Sequence, residues 1–254
     1  MSRLIAIVVF LVSVISVCGV NAEMHDFSLQ DGRILEAEIV DYNAKLVQVE
    51  LKRTDGKRVK VQPSIFVEND QEYIQEWASL DGFRNKSFFK VECKKNTVEK
   101  WKEDGNIHEV RHERLEYEVS LENRSAVPIK NLKVEYCIYY EQEKSLPGQK
   151  KTTAKLSKVG KLDIDKLATK EKRTLATESV VLNRYDFNST DFYYDSGDPE
   201  SARGELKGIW LRLTVSVTGG QKVVRDLFEP SSIEGKYTWQ ERSTPPPTKG
   251  KKKS

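Results

Sequence analysis

The stretch "LEYEVSLENRSAVPIKNLKVEYCIYYE", residues 115–141, puts Leu115, Tyr117, Val119 and Leu121 on one side of an extended chain. Glu116, Glu118, Ser120 and Glu122 fall on the other. After the turn residues Asn123 to Pro128 the alternation resumes, with Leu132, Val134, Tyr136 and Ile138 opposite Lys133, Glu135 and Cys137. Side chains alternate across a strand, so each run is a strand with one buried face.

The same pattern extends in both directions. "GIWLRLTVSV" (208–217) turns Ile209, Leu211, Leu213, Val215 and Val217 inward, and Gly219-Gly220 leads into "QKVVRDLF" as a hairpin partner. A strand near Phe89, the "VEKWK" and "IHEVRHE" arms around Asp104-Gly105, and "RTLATESVVL" complete seven or eight antiparallel strands. Regular strands with turn signals predict a β-sandwich of immunoglobulin or fibronectin type over residues 84–240.

Residues 23–82 carry shorter strands. "RILEAEIV" alternates with Arg33, Leu35, Ala37 and Ile39 on one face, "LVQVELK" places Val47, Val49 and Leu51 together, and "RVKVQP" adds Val59 and Val61. Asp31-Gly32 and Asp55-Gly56 mark two hairpins, because glycine accepts the positive φ such turns require. Asn69 with Glu72 three residues on predicts a helix start, and Tyr73, Ile74 and Trp77 then share a face that closes a small barrel. The phrases Asp31-Gly32-Arg33, Ala37, Val47/Val49/Leu51, Asp55-Gly56-Lys57 and Asp70 to Trp77 resemble the Sla-type homology domain. That family occurs in endocytic adaptors and in many exported bacterial proteins. The resemblance implies an SH3-like barrel with a short C-terminal helix and a protein- or peptide-contact role. The fold class expected for the whole is therefore mostly β, a small barrel followed by a sandwich.

Composition bounds the function. Formal net charge is +3 over 254 residues, and the terminal "KGKKKS" supplies four of the lysines, so no basic face points to nucleic acid. Residues 1–22 combine Arg3, an apolar run and Val20-Asn21-Ala22, which reads as a secretory signal peptide, with an uncleaved anchor as the alternative. The expected location is exported, periplasmic or extracellular. Residues 241–254 read as a proline-rich basic tail; membrane contact would come only through that tail or an uncleaved anchor. In an exported chain Cys93 and Cys137 invite a disulfide, yet parity turns Cys93 inward and Cys137 outward, which argues against a Cys93–Cys137 bridge.

No catalytic constellation stands out, so the chain is expected not to be an enzyme and to need no cofactor. His25 lies near the mature N-terminus, where disorder is the default. His108 and His112 have helical metal spacing but sit in a strand, where four residues span roughly 13 Å and the side chains face solvent. "YDFNSTDFYYDSGDPE" (185–200) clusters Asp191, Asp195 and Asp198 as candidate Ca²⁺ ligands, against a solvated loop. Its Phe192, Tyr193 and Tyr194 are candidate partner contacts, against a local satellite core. Asn85, Asn123 and Asn188 begin glycosylation triplets. Two functions follow: a non-catalytic exported scaffold that binds protein through its N-terminal barrel, or a carbohydrate- or polymer-binding sandwich using the aromatic-acidic loop.

Overall fold

The computed structural model describes residues 23–104, 108–144, 151–187, 201–217 and 222–241. Residues 1–22, expected to be a signal peptide, residues 188–200 with Asp191, Asp195 and Asp198, and residues 242–254 of the expected basic tail lie outside the described residues. The chain packs as two compact units that divide between Gln71 and Glu72.

In the first unit β1 (His25–Ser28), β2 (Ile34–Asn43), β3 (Gln48–Arg53) and β4 (Arg58–Val61) form an antiparallel sheet in sequence order. Both Asp-Gly pairs turn hairpins, with Gly32 at φ +85° and Gly56 at φ +79°. Each aspartate also accepts a hydrogen bond from the backbone N–H two residues on, Arg33 at 3.1 Å and Lys57 at 3.0 Å. Phe27, Ala37, Ile39, Val49, Leu51 and Phe66 are buried. Beyond β4, residues 65–67 return to β1: Gln30 N–H donates to the Ile65 carbonyl at 3.0 Å and Val67 N–H to the Ser28 carbonyl at 2.9 Å.

Three expectations for this unit change. Val47 does not join Val49 and Leu51 inside; it sits exposed in the β2–β3 turn at φ +50°. His25 is ordered in β1, its Nε2 2.8 Å from the Asp70 carboxylate. The helix α1 (Glu68–Arg84) starts before Asn69, and Asp70 does the polar work at its N-terminus. The Asp70 carboxylate also accepts the Ser28 N–H at 2.6 Å, which leaves Asn69 inside the first turn. The far half of α1 serves the second unit, because Leu80 and Phe83 belong to that unit's core.

The second unit is a β-sandwich. One layer holds β5 (Phe89–Asp104), β6 (His108–Asn123), β11 (Lys172–Ala176) and β12 (Val180–Phe187), with β5 along one side of β6 and β11 then β12 along the other. The second layer runs β14 (Lys222–Glu229), β13 (Ala202–Ser216), β8 (Leu132–Lys144), β9 (Thr152–Leu162). The layers join where Arg184 and Tyr185 pair with Arg203 and Ala202. The short strands β7 (Ile129–Lys130) and β10 (Lys166–Leu167) make a separate ladder. The sandwich core unites Leu115, Tyr117, Val119 and Leu121 with Val134, Tyr136, Ile138, Ile209, Leu211, Leu213 and Val215. These are the positions the alternation assigns inward.

"RTLATESVVL" is two strands rather than one. At the break, Thr177 exchanges hydrogen bonds with the Tyr117 backbone, and Glu178 N–H donates to the Tyr136 hydroxyl at 2.8 Å. A side chain from the opposite layer thus takes the ladder's place for one residue. The lysine-rich β9 carries little apolar periodicity, and pattern reading passes over it. Among the described residues no helix is long and apolar enough to cross a membrane.

Candidate functional site

The first unit presents paired charge and an apolar tip. Asp31 binds Arg33, Glu38 lies 3.9 Å from Lys52, and Glu50 lies 3.2 Å from Arg58 and 3.4 Å from Lys60. Hydrogen bonds from Arg33 hold the Asp31 carboxyl below its usual range, and those from Arg58 and Lys60 do the same for Glu50. Carboxylates lowered in this way stay ionised and make poor general acids. At the β2–β3 tip, Asn43 Oδ1 accepts the N–H groups of Lys45 and Leu46 at 3.1 and 3.2 Å. That Asx turn carries Leu46 and Val47 outward, 61% and 53% exposed. A β-branched residue in the left-handed region is held at a cost of about 1–3 kcal/mol.

The second unit holds a hollow of about 470 Å³ where its two layers join. Trp101, His112 and Asn183 stand in one row across β5, β6 and β12. Trp101 stacks on the His112 ring with centroids 4.8 Å apart, and the Arg114 guanidinium lies 5.3 Å from the Trp101 centroid. His112 Nδ1 donates to Asn183 Oδ1 at 2.8 Å. Its Nε2 is buried without a hydrogen bond among the described residues, with the Glu103 carboxylate 3.6 Å away. The expectation of a solvent-facing His112 is therefore corrected: its side chain is 13% exposed, because a tryptophan covers it. Of His108 only its place in β6 is described.

A glutamine repairs the sheet at this corner. Gln142 Oε1 accepts the Asn183 N–H and Gln142 Nε2 donates to the Asn183 carbonyl, both at 3.0 Å. The amide thus replaces the strand partner that β12 loses where β13 turns away. Gly204 makes room for it, since a Cβ there would lie 2.6 Å from Gln142 Oε1. Five cations line the hollow: Lys100, Lys102, Arg111, Arg184 and Arg203. Lys100 pairs with Glu113 at 3.2 Å, Lys102 with Glu109 at 3.2 Å and Arg184 with Asp186 at 2.9 Å. Arg203 has no ion pair among the described residues. The segment carrying Phe192, Tyr193, Tyr194, Asp191, Asp195 and Asp198 connects β12 to β13 and lies outside the described residues.

Cys93 and Cys137 are free thiols. Cys93 faces the sandwich interior, as parity predicts, and burial pushes its thiol up to about 12. Cys137 is on the outer face of its layer, also as predicted, but it is buried rather than solvated. The C-terminal segment covers it: Cys137, Tyr139 and Ile233 cluster with Trp210, Phe228, Tyr237 and Trp239. Tyr139 stacks on Tyr237 at 4.4 Å, and the Arg212 guanidinium lies 5.1 and 4.4 Å from the Trp210 and Trp239 centroids. Desolvation raises the Cys137 thiol as well. Thiols held protonated are poor nucleophiles and poor metal ligands. Among the described residues no group of three or more His, Cys, Asp or Glu side chains is arranged to hold a metal ion. The residues of the Trp101 hollow, with Trp210 and Arg212 of the strap, look like ordinary outward strand residues in the pattern, and Tyr237 and Trp239 fall after the last strand, where alternation gives no signal.

Neither a family model nor a curated protein matches the chain. Among solved structures, a Northeast Structural Genomics Consortium target is similar over 61% of this chain and 98% of its own, at 8% identity and TM-score 0.28. A β-glucosidase from Listeria innocua, solved with gluconolactone, is similar over 55% of this chain at 16% identity and TM-score 0.16. The chain spans 16% of that enzyme's length. At these scores neither likeness bears on fold or function.

Proposed function

We propose that this chain is a non-catalytic exported protein, periplasmic or extracellular, whose N-terminal unit is a Sla-type SH3-like barrel that contacts a protein or peptide partner. The sandwich is its stable platform in the envelope. The return of residues 65–67 to β1 supports the barrel, since it joins the last extended segment to the first strand. The observation that carries the binding role is the β2–β3 tip. Val47 is strained, and neither it nor Leu46 is buried in return. Backbone strain without a packing gain points to use by something outside the unit. The lowered carboxylates and raised thiols support the non-catalytic part.

Peptide display against the purified protein tests the reading. The expected result is a set of enriched peptides whose capture falls about tenfold in Leu46→Asp, about what removing one apolar anchor costs. Peptides that bind Leu46→Asp as well as the parent would contradict it.

A second reading, a carbohydrate or polymer binder, draws on the hollow at Trp101. Aromatic faces and convergent hydrogen-bond donors are the chemistry that recognises sugars. A glycan array should then show acidic saccharides that are lost with Trp101→Ala. A blank array, or one unchanged by that substitution, removes this reading.

A further inference from the structure

Among the described residues β5 bonds only to β6, and β14 only to β13, so each is an edge of its layer there. Their inward faces border the open side of the sandwich. At one end this side is sealed by Arg225, whose Nη1 donates to the carbonyls of Phe83 at 2.5 Å and Phe89 at 3.2 Å. The rings of those residues flank its guanidinium at 5.5 and 5.4 Å. Farther along, the side opens into a hollow of about 910 Å³. That volume lies within the range of small-molecule sites, roughly 300–1,000 Å³.

We infer that this hollow binds an organic anion with an apolar body, of the medium-chain carboxylate class. Cys93, Tyr117, Leu206 and Ile233 supply apolar wall. Tyr117 is 4% exposed and its hydroxyl makes no hydrogen bond among the described residues. Burial raises its pKa, with smaller contributions from Cys93 and Glu229, so the phenol keeps its proton and acts as a donor. The hydroxyl is not sealed off from solvent but opens on the hollow, so a ligand acceptor there takes the place of water.

The rim supplies the charge. Lys95 pairs in register with Tyr117, so its side chain leaves β5 on the face that bears the phenol. Lys95 and Lys236 line the hollow without an ion pair among the described residues, whereas Lys207 is held by Glu141 at 3.0 Å and Glu205 at 2.8 Å, and the Lys94 side chain leaves β5 on the opposite face. Among the described residues Glu229 is the one carboxylate lining the hollow without an ion pair, so the uncommitted charge of Lys95 and Lys236 favours an anion. A β-bulge between Leu206 and Gly208 shapes the opposite wall. Gly208, at φ +153°, lets the backbone of Glu229 approach to where a Cβ would lie 2.6 Å from its carbonyl oxygen. The competing account is that the lysines only guard a free strand edge against pairing with other chains.

Calorimetric titration of the purified protein with dodecanoate below its micellar concentration separates the two, with dodecanol and dodecyltrimethylammonium as head-group probes. One equivalent of dodecanoate should bind about tenfold more tightly than either probe. Tyr117→Phe should weaken it about fivefold with little change in thermal midpoint, and Glu229→Gln should tighten it about threefold. No saturable binding, equal affinity for all three head groups, or unaltered affinity in Tyr117→Phe would overturn the assignment. The result is independent of the first unit's peptide contact.

Discussion

Asn123→Ala is expected to destabilise the sandwich by about 3–4 kcal/mol, read as a fall of roughly 10 °C in its thermal midpoint. Asn123 is fully buried at the end of β6. Its Nδ2 donates to the carbonyls of Val127 at 2.9 Å, Leu167 at 3.3 Å and Ala168 at 3.1 Å. Its Oδ1 accepts the Ser125 N–H at 3.0 Å and the Ser125 hydroxyl at 2.6 Å. One amide thus ties the turn after β6 to the chain beyond β10, segments some forty residues apart in sequence. Alanine leaves buried donors and acceptors without partners, the costly half of a lost hydrogen bond. Asn123→Asp should be no better, because a carboxylate cannot donate to three carbonyls. A loss below about 1 kcal/mol would show that solvent replaces these bonds. The burial also decides a question about modification: in the folded protein the Asn123 triplet is closed to glycosylation, whereas Asn85 is exposed.

Gly160→Ala is expected to cost about 3 kcal/mol, for a steric reason. Gly160 of β9 pairs in register with Tyr136 of β8, and the Tyr136 ring lies over the glycine. A Cβ at 160 would sit 2.2 Å from the Tyr136 hydroxyl and 2.3 Å from Cζ. Tyr136 is 1% exposed and cannot step aside, and its hydroxyl holds the Glu178 N–H at the break between β11 and β12. Moving the ring would strand that N–H. Chemical denaturation should show a lower midpoint with an unchanged slope; a neutral substitution would mean that the ring has room to shift.

Much of the sandwich was legible because alternation is a local signal. Leu115 to Leu121, Leu132 to Ile138 and Ile209 to Val215 each announce a strand and its buried face without reference to any partner. The two Asp-Gly hairpins were legible for the same reason, since glycine's φ is settled within the turn. What escaped depends on residues outside the alternating run, most of them distant in sequence. Val47 continues an alternating run, yet an Asx turn at Asn43 ends the register one residue before β3. Cys137 and Trp210 have the parity of solvent-facing residues, and a segment about one hundred positions on for Cys137, nearer for Trp210, buries them. His112 is shielded by Trp101 from the neighbouring strand, a pairing set by a register that includes a bulge between Thr97 and Glu99. The candidate ligand hollow was the least legible, because Cys93, Tyr117 and Glu229 meet only after both layers have closed.

The central claim is that the first unit uses its strained tip to bind. The direct measurement is a calorimetric titration of the best displayed peptide into the parent protein and into Val47→Gly. Glycine relieves the positive φ, so the variant should gain up to about 1 kcal/mol in stability while its affinity falls about fivefold or more. A variant that is more stable and binds the peptide as tightly as the parent would contradict the account.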